Sequence, residues 1–190
     1  MKVYIIHRWD GSPKEPLLQW LKSSLEARDY EVTVPAMPDP GVPKVEAWVG
    51  KMAETVSPNE NTIIVGHSIG CQAILRYLQT LQPEKKIKGI VLIAPWMELS
   101  QETVEEEGEE TREIAKPWME TPIDFKKIKS LIGKAVAIFS DNDPHVPADQ
   151  RAIFEKELGA EIIMEKKKGH FTESDGIIML PSALNAILSL

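Results

Sequence analysis

A serine between two glycines is the first feature of this sequence that points to chemistry. Gly66, Ser68 and Gly70 form a G-x-S-x-G pattern that begins where the β-branched run 62–65 ends. Apolar residues at helical spacing follow over 73–81. A strand that turns at once into a helix crowds its own backbone, and glycines on both sides of the apex relieve this crowding. The pattern predicts a nucleophile elbow, with the Ser68 hydroxyl lifted above a sheet for attack on a carbonyl.

A serine hydroxyl is a weak nucleophile, so it needs a general base and a group that orients that base. Among the four histidines, His170 is the preferred base because it follows the last predicted strand in a Gly-His-Phe loop. The preferred orienting acid is Asp143, in the Asp-Pro-His-Val-Pro loop after the fifth predicted strand. Asp141 in the same loop is the alternative, and Glu98 after the fourth strand is a third choice. The order Ser, Asp, His is the one that an α/β-hydrolase sheet requires.

The other three histidines have supporting roles in this interpretation. His67 lies inside the elbow, so its ring should turn away from the serine hydroxyl and pack or make a supporting hydrogen bond. His7 follows the first strand and is predicted to shape a loop. His145, two residues past Asp143, is predicted to lie on the rim of the site.

Two backbone N–H groups are needed to stabilise the oxyanion of an acyl-transfer reaction. One is predicted to come from Ile69, the residue after the nucleophile. The other should come from the loop after the first strand, where Trp9 is preferred and Arg8 is the alternative.

An apolar substrate pocket is predicted from residues in loops on the same face. Trp96 and Met97 follow the fourth strand, and Trp118 lies further along the chain. These three are candidate walls of the pocket, with ordinary loop packing as the alternative for each.

The elements that must position these residues alternate between strand and helix. Short apolar runs predict six strands, at 3–6, 30–34, 62–65, 87–94, 135–139 and 160–164. Apolar residues at helical spacing lie between them, and a last helix is predicted over 177–190. This alternation with short links predicts a compact α/β fold, a six-stranded, mostly parallel sheet with helices on both faces. Sites in such sheets lie beyond the carboxyl ends of the strands, where the candidate residues fall.

Composition limits the class of protein. We expect one domain over 1–190, with hydrophobic and charged contents of 43% and 27% that are ordinary for a globular chain. No apolar run approaches the roughly 20 residues of a membrane span, and the N-terminal stretch is too short and too soon polar for a signal peptide. The single Cys71 fits a reducing compartment, so we expect a cytoplasmic location. No metal-ligand spacing or nucleotide motif appears, so no metal or cofactor is expected.

The net charge of −7 argues against a nucleic-acid partner. Residues 98–113 carry eight glutamates and one arginine, an excess equal to that of the whole chain. This acidic segment, taken as 98–115, follows the fourth strand. Its low hydrophobic content predicts a solvated surface helix, and a lid over the site is the alternative.

Several further segments together resemble one known family. They are 37–40 (Met-Pro-Asp-Pro), 64–68, 90–92, 117–118 with 127–129, 143–144 with 147, and 169–171. Over nearly its whole length the chain is similar to the small serine hydrolases of the retinoblastoma-binding-protein-9-like (YdeN-like) family, within the α/β-hydrolase superfamily. The resemblance implies a nearly lidless hydrolase with a six-stranded core sheet and a catalytic triad of Ser68, Asp143 and His170.

Two departures from that family matter. Its first loop is usually glycine-rich, whereas here it reads His-Arg-Trp-Asp-Gly over 7–11, so the second oxyanion donor stays open. The Leu-x-Cys-x-Glu motif linked to pocket-protein binding is absent, so no such partner is expected.

The sequence therefore predicts a metal-free serine hydrolase that cleaves a small carboxylic ester, or an amide or peptide, through an acyl-enzyme on Ser68. The rival hypothesis is a non-catalytic α/β-hydrolase-fold module that docks a basic partner through its acidic segment. A flavodoxin-like ligand binder is a third reading of the strand pattern. An open hydroxyl beside aligned partners favours the enzyme, whereas a plugged site or an Asp143 that points away favours the module.

Overall fold

Six parallel strands form the central sheet of the computed structural model, which describes residues 1–100, 103, 105 and 108–190. The strands are β1 (Lys2–Ile6), β2 (Glu31–Thr33), β3 (Thr62–His67), β4 (Ile87–Ile93), β5 (Ile132–Ser140) and β6 (Glu161–Glu165). Their order across the sheet is β2-β1-β3-β4-β5-β6, and every neighbouring pair is parallel. The six predicted strands are thus confirmed. Because the order reverses at β1, the chain returns past its first strand to add β3 on the other side.

The central strands are apolar on both faces because helices cover both sides of the sheet. All six residues of β3 are buried, as are the last five of β4. The helices are α1 (Pro16–Glu26), α2 (Val45–Thr55), α3 (Ile69–Leu78), α4 (Gly108–Glu120), α5 (Phe125–Leu131), α6 (Gln150–Ile153) and α7 (Pro181–Leu188). Helix α6 continues as a π-helical turn over Phe154–Leu158, which Gly159 ends in the left-handed conformation.

The last helix begins later than the sequence pattern predicts. The pattern predicts a start at 177, but α7 begins with Pro181 in its first turn, a position that proline favours. Asp175, shortly before this helix, accepts hydrogen bonds from the backbone N–H groups of His170 and Thr172. The segment before α7 is therefore a turn that supports the loop carrying His170.

The acidic segment is partly described. Glu102, Glu106 and Glu107 lie outside the described residues, and α4 begins within the segment at Gly108. Helix α4 buries Ala115 and Trp118 on one face, and its glutamates are exposed. In the described part of the chain, no helix combines the length and the apolar character that crossing a bilayer requires.

Candidate active site

Ser68 lies at the junction of β3 and α3 in a strained backbone conformation. Its φ of 54° and ψ of −122° are uncommon for a residue with a side chain. The flanking glycines give this turn the room it needs. A Cβ on Gly66 would lie 2.8 Å from the backbone N of Cys71, and one on Gly70 would lie 2.6 Å from the carbonyl oxygen of Ile6. The elbow therefore requires glycine at both positions.

The hydrogen bonds of Ser68 hold it against the end of β4. Its backbone N donates to the Ile93 carbonyl over 2.8 Å, and its Oγ accepts from Trp96 Nε1 over 3.2 Å. The residue is 6% exposed. Among the described residues no hydrogen bond joins Ser68 Oγ to His170, a contact that often tightens only when substrate binds.

Asp143 and His170 form a close buried pair. Asp143 Oδ2 lies 2.8 Å from His170 Nδ1, and the Asp143 side chain is 3% exposed. Asp143 Oδ1 accepts the backbone N–H groups of His145 and Val146, so the turn itself fixes the carboxylate. A carboxylate at Nδ1 keeps the proton of a neutral imidazole on that nitrogen, which leaves Nε2 free to accept one.

Two further side chains fix the backbone around His170. Its N–H donates to Asp175 Oδ2 over 2.9 Å, and its carbonyl oxygen lies 2.8 Å from His67 Nε2. Burial lowers the pKa of His67 to about 3, so its ring is neutral and Nε2–H is the donor. Burial would raise the pKa of Asp175, but hydrogen bonds from Thr172 and His170 outweigh it and lower that pKa. The supporting hydrogen bond expected of His67 is thus present, and the contribution of Asp175 is new.

The alternative acids lie elsewhere. Asp141 is exposed, and its Oδ1 accepts the backbone N–H of Lys167 over 2.7 Å, which ties the loop after β5 to the loop after β6. Glu98 is also exposed, and its backbone N donates to Gln150 Oε1. Of the three candidate carboxylates, the structure brings Asp143 to the imidazole.

The remaining histidines occupy the predicted regions. His7 donates from Nδ1 to the Arg8 carbonyl and accepts at Nε2 from the backbone N of Met37, so it joins the loop after β1 to the loop after β2. Burial lowers the pKa of His7. The ring of His145 stands edge-on to that of His170, with centroids 5.0 Å apart, and lines the cavity at Ser68.

A cavity of about 270 Å³ opens at Ser68. Its walls come from loops after the strands and from α4: Arg8, Trp9, Asp10, Gly41, Ser68, Trp96, Leu99, Thr103, Glu110, Thr111, Ile114, His145 and His170. The acidic segment therefore supplies part of the wall through one face of α4, while its outer face remains solvated. Two features favour an enzyme over a docking module: the cavity reaches Ser68, and the Asp143 carboxylate contacts His170.

The predicted pocket residues divide between this cavity and the core. Trp96 lines the cavity, but Met97 and Trp118 do not. Trp118 is fully buried, donates from Nε1 to the Pro43 carbonyl and packs edge-on against Trp48. It lies in the core because the apolar face of α4 must be covered, so its expected place in the pocket wall is wrong.

The proposed oxyanion donors are available. Neither Ile69 N nor Trp9 N has a hydrogen-bond acceptor among the described residues, and both residues lie beside Ser68 or line its cavity. The backbone N of Arg8 also lacks one in this part of the chain, so hydrogen bonding alone does not choose between Trp9 and Arg8.

Sequence reasoning missed the part played by Gln150. This side chain is 2% exposed, and its Oε1 accepts the backbone N–H groups of Met97 and Glu98 over 2.8 and 3.0 Å. It thereby holds the loop after β4 against the start of α6. A single glutamine near the start of a short helix carries no sequence signal for such a distant contact.

Comparison with known proteins gives consistent matches along the whole chain. Residues 3–188 match the family described as serine hydrolase. YdeN of Bacillus subtilis (strain 168) is 30% identical over 189 residues, which cover 99% of this chain and 95% of that protein. The crystal structure of the ydeN gene product matches with a TM-score of 0.86 at 28% identity, covering 99% and 97% of the two chains. The serine hydrolase RBBP9 of Rattus norvegicus is 24% identical over 170 residues, 89% of this chain and 81% of that protein.

A solved structure of lower sequence identity has a similar fold. It comes from Nitrososphaera gargenis, in work on carboxylesterases of that organism, and matches with a TM-score of 0.73 at 15% identity, covering 99% of this chain and 89% of that one. Together with the sheet order, these structural matches confirm the predicted α/β-hydrolase fold.

Proposed function

Because the chain belongs to the serine hydrolase family, we propose that it cleaves small carboxylic esters through an acyl-enzyme formed on Ser68. The resemblance to YdeN-like hydrolases indicated by the sequence is confirmed, and the chain is a serine hydrolase. The observation that supports an acyl-enzyme on Ser68 is the buried Asp143–His170 pair, together with the strained Ser68 that lines a cavity. The three side chains come from three different strand ends, which only the fold brings together.

In the first half of the proposed reaction, Ser68 Oγ attacks the ester carbonyl. His170 Nε2 takes the hydroxyl proton as the Oγ–C bond forms and the carbonyl electron pair moves to its oxygen. Asp143 stays ionised, holds the imidazole through Nδ1 and stabilises the imidazolium. The backbone turn that donates to Asp143 Oδ1 keeps the carboxylate fixed during this change of charge.

The oxyanion would be bound by backbone N–H groups that have no acceptor among the described residues. Ile69 N is at the first turn of α3, where free N–H groups and the helix dipole favour negative charge. Trp9 N, or Arg8 N, would supply the second bond. The intermediate collapses when His170 gives its proton to the leaving alcohol. Water then attacks the acyl-enzyme with His170 as the base, and the C–Oγ bond breaks to release the acid and restore the Ser68 hydroxyl.

The cavity supports a small substrate. About 270 Å³ accommodates a short acyl group with part of its alcohol. The fold neighbour from a carboxylesterase study supports esters as the first class to test. Amides and peptides are the second class, because their poorer leaving groups demand more of the same machinery.

A chromogenic panel tests both the nucleophile and the class. We expect turnover of p-nitrophenyl acetate and butyrate, slower turnover of the octanoate ester, and little of alanine p-nitroanilide. Ser68→Ala should lower kcat by at least about 10³-fold, since the nucleophile is removed. Ser23→Ala, at an exposed position on α1, is the matched control and should have no effect. Retained turnover in Ser68→Ala would contradict the mechanism, and faster cleavage of the anilide would replace esters by amides.

A further inference from the structure

The indole of Trp96 contacts the atom that attacks the substrate in the proposed function. Its Nε1–H donates to Ser68 Oγ over 3.2 Å, and the side chain is 1% exposed. An indole nitrogen is a donor only, and it does not exchange roles with its partner as a hydroxyl or imidazole can. Ser68 Oγ therefore has a fixed, uncharged donor on one of its two lone pairs.

The loop that carries Trp96 is built to hold the ring in this place. Ala94 has a φ of 48°, a conformation that a residue with a side chain rarely adopts, and its N donates to the Ile138 carbonyl. The next two backbone N–H groups after Trp96 are both bound by the buried Gln150 side chain. Backbone strain before the tryptophan and a side-chain anchor after it restrict the loop, so the indole has little freedom to leave Ser68.

We propose that Trp96 is a further catalytic residue, whose N–H stabilises the negative charge that develops on Ser68 Oγ. This role rests on the proposed function. In the resting enzyme Trp96 occupies one lone pair of Oγ, the hydroxyl proton is left for His170, and the second lone pair forms the bond to the carbonyl carbon. As the proton moves to His170 Nε2, negative charge builds on Oγ before the new bond to carbon shares it, and the hydrogen bond from the indole N–H to Oγ strengthens.

The same contact acts in the second half of the reaction. Water attacks the acyl-enzyme and gives its proton to His170, the C–Oγ bond then breaks, and the electron pair of that bond returns to Oγ. His170 gives the proton back to Oγ, and Trp96 keeps its own proton throughout. Acylation and deacylation should therefore both depend on the indole N–H.

The substitution Trp96→Phe keeps an aromatic ring in the loop and removes the donor. We expect the rate constant for labelling Ser68 with a fluorophosphonate, and kcat for p-nitrophenyl acetate, each to fall by at least about tenfold, the loss expected for a hydrogen bond to a charged oxygen. KM should change by less than about threefold, because the lost bond forms to the transition state. The matched control is Trp118→Phe, which removes an equally buried indole whose acceptor is a backbone carbonyl outside the cavity. It should leave both rates per folded molecule unchanged.

Wild-type rates in Trp96→Phe, or a loss confined to KM, would overturn the role of Trp96. A wild-type protein that neither labels nor turns over would overturn the proposed function itself, and this role with it. If Trp96→Phe does not fold, the contact is tested in Ser68→Ala by the indole ¹H–¹⁵N resonance of Trp96, assigned by elimination among the five tryptophans. The resonance should move upfield when the acceptor is lost, and an unchanged resonance would overturn the contact.

Discussion

Replacing Asp143 by asparagine is the perturbation whose outcome the geometry defines most closely. Asp143 Oδ1 accepts two backbone N–H groups, from His145 and Val146, so the asparagine must place its oxygen there. Its NH₂ group then takes the position of Oδ2, 2.8 Å from His170 Nδ1, and its oxygen keeps only the longer contact of 3.1 Å to that nitrogen. Two donors would face each other, and the imidazole would adopt the other tautomer, with its proton on Nε2. In that form it cannot accept the proton of Ser68.

The size of the effect follows from what the productive tautomer would lose. It would give up a charge-assisted hydrogen bond worth about 1.5–3 kcal/mol and leave a buried donor unsatisfied at a further cost of about 1–3 kcal/mol. A total of about 2.5–6 kcal/mol corresponds to a fall in kcat of about 10²- to 10⁴-fold. The fold should be retained, since asparagine preserves both backbone contacts of the turn.

The assay is kcat for p-nitrophenyl acetate, with far-UV circular dichroism and thermal unfolding to show that the variant folds. Asp141→Asn is the matched control because it changes the same charge in the same loop. Its oxygen can still accept the Lys167 N–H, so we expect activity within about twofold of the wild type. A loss below threefold in Asp143→Asn, or an equal loss in both variants, would refute the assignment of Asp143.

Two further predictions concern the supports of the elbow. Burial lowers the pKa of His67 to about 3, so between that pH and about 6.5 the unfolded chain binds a proton that the native chain excludes, and stability falls as pH falls through this window. His67→Gln should flatten this dependence in urea unfolding by up to about 1.4 kcal/mol per pH unit, and equal slopes would contradict the burial argument. Gly70→Ala should lower the free energy of unfolding by about 1–3 kcal/mol, because its Cβ would clash with the backbone oxygens of Ile6 and His7. Gly50→Ala on α2, where the Cβ meets nothing within 4 Å, should instead stabilise the protein by up to about 1 kcal/mol. Equal changes in melting temperature for the two variants would contradict the steric explanation for Gly70.

The strands and the residues that follow them could be predicted from the sequence because their determinants are local. A buried parallel strand needs a continuous apolar run, and a functional side chain in this architecture must follow one. Those two rules select Ser68, Asp143 and His170 without knowledge of the family. Asp141 is an equally suitable candidate by its spacing from the strand, and only the fold separates the two carboxylates: Asp143 contacts His170, whereas Asp141 accepts from Lys167 N.

What the sequence could not predict depends on contacts between distant segments. Trp96 and Trp118 look alike as loop tryptophans, yet one donates to Ser68 Oγ and the other to the Pro43 carbonyl in the core. Asp175 lies shortly before the last helix, but it accepts hydrogen bonds from the loop that carries His170. In each case the partner is chosen by how elements pack, and no periodicity or local motif records that choice.

The site of covalent labelling tests the central claim, that Ser68 is the nucleophile of an acyl-transfer site, most directly. The native protein is treated with a fluorophosphonate probe, digested and examined by peptide mass spectrometry. We predict a single adduct on the peptide that contains Ser68 and no adduct in Ser68→Ala. Labelling that persists in Ser68→Ala, or an adduct on another residue of the wild-type protein, would contradict the claim.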